Sequence, residues 1–246
     1  MNQLGLCSIS FRQHSPRQIA EAVKAAGLQC IEWGSDVHAP CDDPARLQEI
    51  VELQKEFGIT CSSYGTYFRI GRNTPEELPA YIRAAKLLGT NILRLWCGTK
   101  GSESYTPEEL EDLYAQCREL AKIAEDAGIT LCMECHGGTV TDRPQPGYDL
   151  MKAVNSPAFR MYFQPCQTRS YEENIAQLKL LAPYVAHLHV FNWEGSQKFP
   201  LRDGIDQWKG YLSCLQGDRA LLLEFMPDNR IESLPEEAQA LREIIQ

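Results

Sequence analysis

In the stretch RALLLEFMPD, residues 219–228, an apolar run leads straight into Glu224 and apolar residues follow it. A carboxylate is costly to bury there without a compensating partner. Three other apolar segments end in side chains that bind metals or form hydrogen bonds. ITLCMECHGG delivers Glu134 and His136, RMYFQPCQ delivers Gln164 and Gln167, and VAHLHVFNW delivers His187 and His189. Residues two apart share a strand face, so Glu134 goes with His136 and His187 with His189. Two carboxylates, an imidazole and an amide oxygen suit a divalent ion such as Mn²⁺, Mg²⁺ or Co²⁺, with Zn²⁺ a less distinctive choice. Taken singly, a strand-end glutamate is ordinarily paired with Arg or Lys, and a histidine on an apolar strand is ordinarily a satisfied core residue. The coincidence on four consecutive strands is what points to a site.

The elements that must position these residues follow a repeated grammar. KAAGLQCIEW, KEFGITCSSY, KLLGTNILRL and EDAGITLCME each close a helix, place a glycine, and begin a short apolar run. Glycine just past a helix end tolerates the left-handed conformation needed there. Ser15, Thr74 and Thr106 precede prolines as helix N-caps. Asp43 takes the same role, and Thr74 with Glu77, Thr106 with Glu109 and Ser170 with Glu173 fit the capping box. Strands are predicted near 4–9, 29–34, 59–64, 91–96, 130–135, 160–164, 185–191 and 220–225. Their mostly continuous apolar character indicates burial on both faces. Alternation with helices over this length predicts one α/β domain, residues 1–246, folded as a single (β/α)₈ TIM barrel. The active face of such a barrel lies at the C-terminal ends of its strands. No G-x-G-x-x-G follows the first strand, which disfavours an open doubly wound sheet.

Composition narrows the function. The 246 residues are 43% hydrophobic with a net charge of −9, which argues against a nucleic-acid surface. No apolar run is long enough for a membrane span, and no signal peptide is visible, so a cytoplasmic protein is expected. Most of the ten cysteines lie in apolar segments and read as small core residues of a reduced protein. CMEC, residues 132–135, has redox-motif spacing but lies within a strand-like run and not at a helix start, so it too reads as core.

The chain resembles the xylose isomerase-like barrel superfamily, which includes sugar isomerases, ketose 3-epimerases, inosose dehydratases and endonuclease IV-type repair enzymes. The resemblance covers nearly the whole chain, from LGLCSISFR and CIEWG through ECH and HLH. The superfamily's Glu–Asp–His–Glu metal quartet maps onto Glu134, Gln164, His189 and Glu224. Two departures stand out. Gln164 and Gln167 replace an aspartate and a histidine, which lowers the charge of the site. Gly195 stands where epimerases of this kind carry a substrate-binding arginine, leaving Lys198 or Arg202 as substitutes.

The resemblance implies a metal-dependent sugar isomerase or epimerase. Glu134 and Glu224 would be its acid/base pair, moving a proton beside a carbonyl through an enediolate. A keto-inositol or keto-sugar dehydratase on the same scaffold is the alternative, and a barrel that binds a ligand without catalysis is the third. A repair nuclease is disfavoured by the acidic charge and only five histidines. The expected partner is a small sugar or polyol, with a homodimer as the expected assembly. His136, Gln167, Lys198 and the aromatic faces of Trp33, Trp96 and Trp193 are the candidate substrate contacts. Arg12 and His38 are weaker candidates, as are Tyr67 and Arg69 in SSYGTYFRIG, which reads as a polar lid loop after the third strand.

Overall fold

The computed structural model describes residues 2–246. The strands are β1 (Gln3–Cys7), β2 (Cys30–Gly34), β3 (Thr60–Ile70), β4 (Ile92–Cys97), β5 (Thr130–Glu134), β6 (Phe159–Phe163) and β7 (Val185–Val190), a short hairpin of β8 (Trp193–Glu194) and β9 (Gln197–Lys198), and β10 (Ala220–Leu223). The helices are α1 (Pro16–Ala25), α2 (Pro44–Phe57), α3 (Leu78–Leu88), α4 (Pro107–Asp126), α5 (Pro144–Val154), α6 (Tyr171–Leu181), α7 (Ile205–Ser213) and α8 (Leu234–Ile244). Strands β1 to β7 pair in parallel with their sequence neighbours, and β10 closes the barrel between β7 and β1. This is a closed (β/α)₈ barrel. No helix among the described residues is long and apolar enough to cross a membrane.

The local signals act as their chemistry requires. Ser15, Thr106 and Ser170 accept hydrogen bonds from the backbone of the helices they cap, each in a reciprocal capping box. Gly27, Gly58, Gly89 and Gly128, the four helix-to-strand glycines, all have positive φ, from 62° to 86°. Three boundaries differ from the expectation. Strand β3 runs on to Ile70, so the segment read as a lid loop is largely strand. Tyr67, Phe68 and Ile70 favour extended backbone, and a register shift between Gly65 and Arg69 lets β3 stay paired with β4. Strand β10 stops at Leu223, which leaves Glu224 just beyond it, although its backbone N–H still donates to Val190 O at 3.0 Å. The loop carrying Lys198 forms the β8–β9 hairpin, with Trp193 opposite Lys198.

Alternation along the strands sorts the core into two sets. One face packs on the helices through Leu4, Leu6, Ile31, Leu93, Leu95, Leu131, Met133, Met161, Leu188 and Leu221. The other face fills the barrel. Its lower part is a small cluster of Cys30, Cys132, Tyr162, Ala220 and Leu222. Both CMEC cysteines are buried and free, as core residues should be. Above this cluster the barrel interior becomes polar.

Candidate active site

The inward positions at the C-terminal ends of the strands carry Cys7, Glu32, Ser63, Arg94, Glu134, Gln164, His189 and Glu224, all buried. The strand register explains how they meet. Cys7 pairs with Glu32, Glu32 with Ser63, Gly65 with Arg94, and Leu222 with His189. Gly65 is needed here for space. A Cβ on it would lie 2.7 Å from Glu32 Oε1 and 2.9 Å from an Arg94 nitrogen, displacing the pair.

Arg94 is the hub of the cluster. Its Nη1 lies 3.0 Å from Glu134 Oε2, and its Nε lies 3.4 Å from Glu32 Oε1. Trp96 Nε1 donates to Glu134 Oε2 at 2.7 Å, and Gln164 Nε2 donates to Glu134 Oε1 at 3.0 Å. Both Glu134 oxygens are therefore engaged. The second Gln164 donor bond goes to Cys135 O at 3.0 Å, which fixes the amide with its oxygen toward His189. Glu32 is bound as tightly. Ser63 Oγ donates to Glu32 Oε2 at 2.8 Å, and Tyr162 donates to Ser63 in turn at 2.6 Å.

The His189 ring bridges the two sides. Nε2 lies 3.3 Å from Glu32 Oε1, and Nδ1 lies 3.0 Å from Gln164 Oε1. Burial alone would favour the neutral ring, but the carboxylates of Glu224 and Glu32 outweigh it and raise His189 to about 9. Burial would also raise Glu32, yet His189 and Arg94 hold it well below the usual carboxylate range. Glu224 differs from both other glutamates. Its side chain makes no hydrogen bond among the described residues, and His189 Nδ1 at 3.5 Å is the cation beside it. Burial, with Glu134 and Glu32 nearby, holds Glu224 above the usual carboxylate range against the pull of His189 and Arg94. Phe225, next in the chain, adopts left-handed backbone with φ 56°. That conformation costs a bulky residue on the order of 1–3 kcal/mol. The Phe225 N–H donates to Ser10 Oγ at 2.8 Å, which helps hold the turn that presents Glu224.

The four residues expected as metal donors lie in the same buried polar layer. Around His189 Nδ1 stand Gln164 Oε1 at 3.0 Å, Glu224 Oε2 at 3.5 Å and Glu134 Oε1 at 3.9 Å. Among the described residues, the histidine, thiol and carboxylate donors that all lie within 4.8 Å of one another belong to Cys7, His189 and Glu224, and Glu134 is not among them. Once a bound ion displaced the His189 proton, three buried carboxylates against one permanent guanidinium would leave two negative charges for one divalent ion. The contact from His189 Nε2 to Glu32 is the arrangement that orients a metal-binding imidazole.

The remaining candidates divide. Trp96 tilts against His136, with ring centroids 5.3 Å apart, and Arg69 lies 4.8 Å above the Trp96 ring. His136 is exposed, and with Gln164 and Gln167 it lines a cavity of about 280 Å³. Lys198 Nζ lies 4.8 Å from the Trp193 ring and 5.0 Å from Phe225, on the Glu224 side. Trp33 is a correction. It is fully buried and donates to Gln54 Oε1 at 3.0 Å, because alternation on β2 that turns Glu32 inward turns Trp33 outward onto α2. His38 is also buried away from the mouth, bonded to Ser8 and His14 O. Arg12 is paired with Asp36 at 2.6 Å and donates to Tyr67 Oη. Arg202 lies in the turn after the hairpin, near Asp203, with no contact to the cluster.

The sequence gives no functional role to Arg94 or Glu32 and reads Cys7 as a small apolar core residue, whereas the structure sets Cys7 outside both hydrophobic clusters. The signal was present in ILRLWC and CIEWG, where one charged residue interrupts an apolar strand as Glu224 does.

The fold, the polar layer at its C-terminal end and the donor quartet define a family. Residues 20–244 match the xylose isomerase-like TIM barrel family, and the chain belongs to it. It is similar to a 3-dehydroshikimate dehydratase of Bacillus anthracis, 23% identical over 202 residues that cover 76% of this chain and 70% of that one. Its backbone resembles the crystal structure of a probable 3-DHS dehydratase, AsbF, of the same organism, with TM-score 0.83, 18% identity and coverage of 98% and 99%. D-psicose 3-epimerase of Clostridium cellulolyticum aligns with TM-score 0.70 and 16% identity over 98% and 97%. A barrel from Mycobacterium smegmatis solved with magnesium aligns with TM-score 0.75 and 14% identity over 99% and 97%.

Proposed function

We propose that this chain is a lyase that removes water from a small β-hydroxy ketone of the sugar, cyclitol or dehydroshikimate kind. Glu224 is its single acid/base group. The observation that carries this reading is the inequality of the two carboxylates. Glu134 has both oxygens engaged by Gln164, Arg94 and Trp96, whereas the Glu224 side chain makes no hydrogen bond among the described residues and is held above the usual range by burial. A carboxylate whose side chain is not tied up by other donors is available to take and return a proton.

One group suffices for a same-face elimination. Glu224 takes the proton from the carbon beside the ketone, and the C–H electron pair moves toward the carbonyl to give an enolate. The enolate then forms the C=C bond as the C–O bond to the β-hydroxyl breaks. Glu224 returns its proton to the departing hydroxyl, which leaves as water, and the carboxylate is regenerated. Arg94 and Trp96 keep Glu134 fixed throughout, and Glu32 keeps His189 oriented. A divalent ion held by Glu134, Gln164, His189 and Glu224 would supply Lewis-acid stabilisation of negative charge on the ketone oxygen. Trp96, His136, Gln167, Trp193 and Lys198 are the contacts for the body of the substrate. The similarity to a named dehydratase supports the same reading.

Isomerisation or epimerisation through an enediolate is the second reading. It is favoured by Glu134 Oε1, which faces the same His189 nitrogen as Glu224. The test is mass spectrometry of products from 3-dehydroshikimate, keto-inositols and keto-sugars incubated with the metal-supplemented protein. The lyase reading expects a product lighter by one water. A product of unchanged mass with altered stereochemistry or carbonyl position would contradict it and establish the second reading.

A further inference from the structure

Six buried cysteines, Cys30, Cys61, Cys97, Cys117, Cys132 and Cys135, pack within the hydrophobic clusters, as small apolar side chains do. Cys7 is fully buried but belongs to neither cluster. Its Sγ donates a hydrogen bond to Glu32 Oε1 at 3.2 Å. It also lies within 4.8 Å of a ring nitrogen of His189 and a carboxylate oxygen of Glu224, which stand within the same span of each other. Apolar packing does not account for a thiol in these surroundings, and Glu224 brings to the same point a carboxylate with no hydrogen bond among the described residues.

Thiolate and imidazole donors favour Zn²⁺ and similar ions, whereas all-oxygen sites suit Mg²⁺. Gln164 acts in the same direction. Its neutral amide oxygen is a weaker donor for a hard cation than a carboxylate would be. We infer that Cys7 is itself a metal ligand, joining His189 and Glu224, and that the site selects a thiophilic divalent ion such as Zn²⁺ or Co²⁺ over Mg²⁺. The inference rests on the reading that this cluster binds a divalent ion. As the sulfur–metal bond forms, the thiol proton passes to solvent and the ion meets a thiolate.

Titrating metal-free, reduced protein with Co²⁺ tests this directly. The expected result is a strong near-ultraviolet thiolate-to-cobalt charge-transfer band, saturating at one ion per chain and lost in Cys7→Ser. Calorimetry should show Zn²⁺ affinity falling at least about tenfold in that variant, since a lost donor costs no less than a lost outer partner. Mg²⁺ affinity should change little. The wild-type spectrum needs no variant, so a poorly folding Cys7→Ser does not remove the test. Co²⁺ binding by calorimetry without the near-ultraviolet band would overturn the role of Cys7 while leaving the ion site standing. Failure of both Co²⁺ and Zn²⁺ to bind would overturn the role of Cys7 and the ion site together.

Discussion

Glu134 and Glu224 are the same residue type at the same end of the barrel, yet their surroundings are opposite. Glu134 closes β5 under an arginine, an indole N–H and an amide, while the Glu224 side chain stands past β10 with no hydrogen bond among the described residues and is held above the usual carboxylate range by burial. On the proposed reading, the neighbours decide which carboxylate is structural and which is reactive. Arg94 is the residue that separates them. Without it, three buried carboxylates would compete for the single charge of His189.

The sharpest way to break this comparison is Glu224→Gln, which should lower turnover about 10²–10⁴-fold, the usual contribution of a positioned acid/base group. Its melting temperature should stay near that of the wild type, as checked by steady-state kinetics beside a thermal melt. Arg94→Met attacks the other side. Removing one partner of a buried ion pair costs about 3–5 kcal/mol, so its urea midpoint should fall steeply. Wild-type stability in that variant would mean that Arg94 does not hold Glu134 in place.

Acidity gives a subtler test. The folded-state pKa of His189, about 9, lies above its ordinary value near 6.5. The folded chain therefore binds the proton more tightly than the unfolded chain does. The stability this contributes is fully present below about pH 6.5 and is lost as pH rises through about 9. Urea titrations of metal-free protein at pH 6 and pH 10 should show the lower midpoint at pH 10, and His189→Gln should flatten the difference. The smallest effect is expected from Trp33→Phe. It removes one buried hydrogen bond to Gln54, worth about 1 kcal/mol, and should leave turnover unchanged because Trp33 faces α2.

The barrel was legible because its signals are local. Caps such as Ser15 and Thr106, and the glycines that follow the helices, fix each element from its own few residues. The polar strand ends were legible because Glu134, His189 and Glu224 each interrupt an apolar run. What stayed hidden depends on register across strands. Trp33 looked like a pocket wall until the pleat of β2 was known, and the same pleat brings Glu32 to His189. Arg94 carried the same signal as Glu224 but lies one strand outside the four whose ends were searched. Its role is visible only once β3 supplies Gly65 beside it. The hairpin that lifts Lys198 over Trp193 and Phe225 joins residues from two loops, which no single stretch of sequence contains.

The most direct test of the unequal carboxylates is exchange of the substrate's α-proton in D₂O by Glu134→Gln and Glu224→Gln, side by side and with saturating metal. Glu224→Gln should lose exchange by about 10²–10⁴-fold, while Glu134→Gln should retain measurable exchange at a reduced rate. Equal loss in both variants, or the greater loss in Glu134→Gln, would contradict a single reactive carboxylate at Glu224.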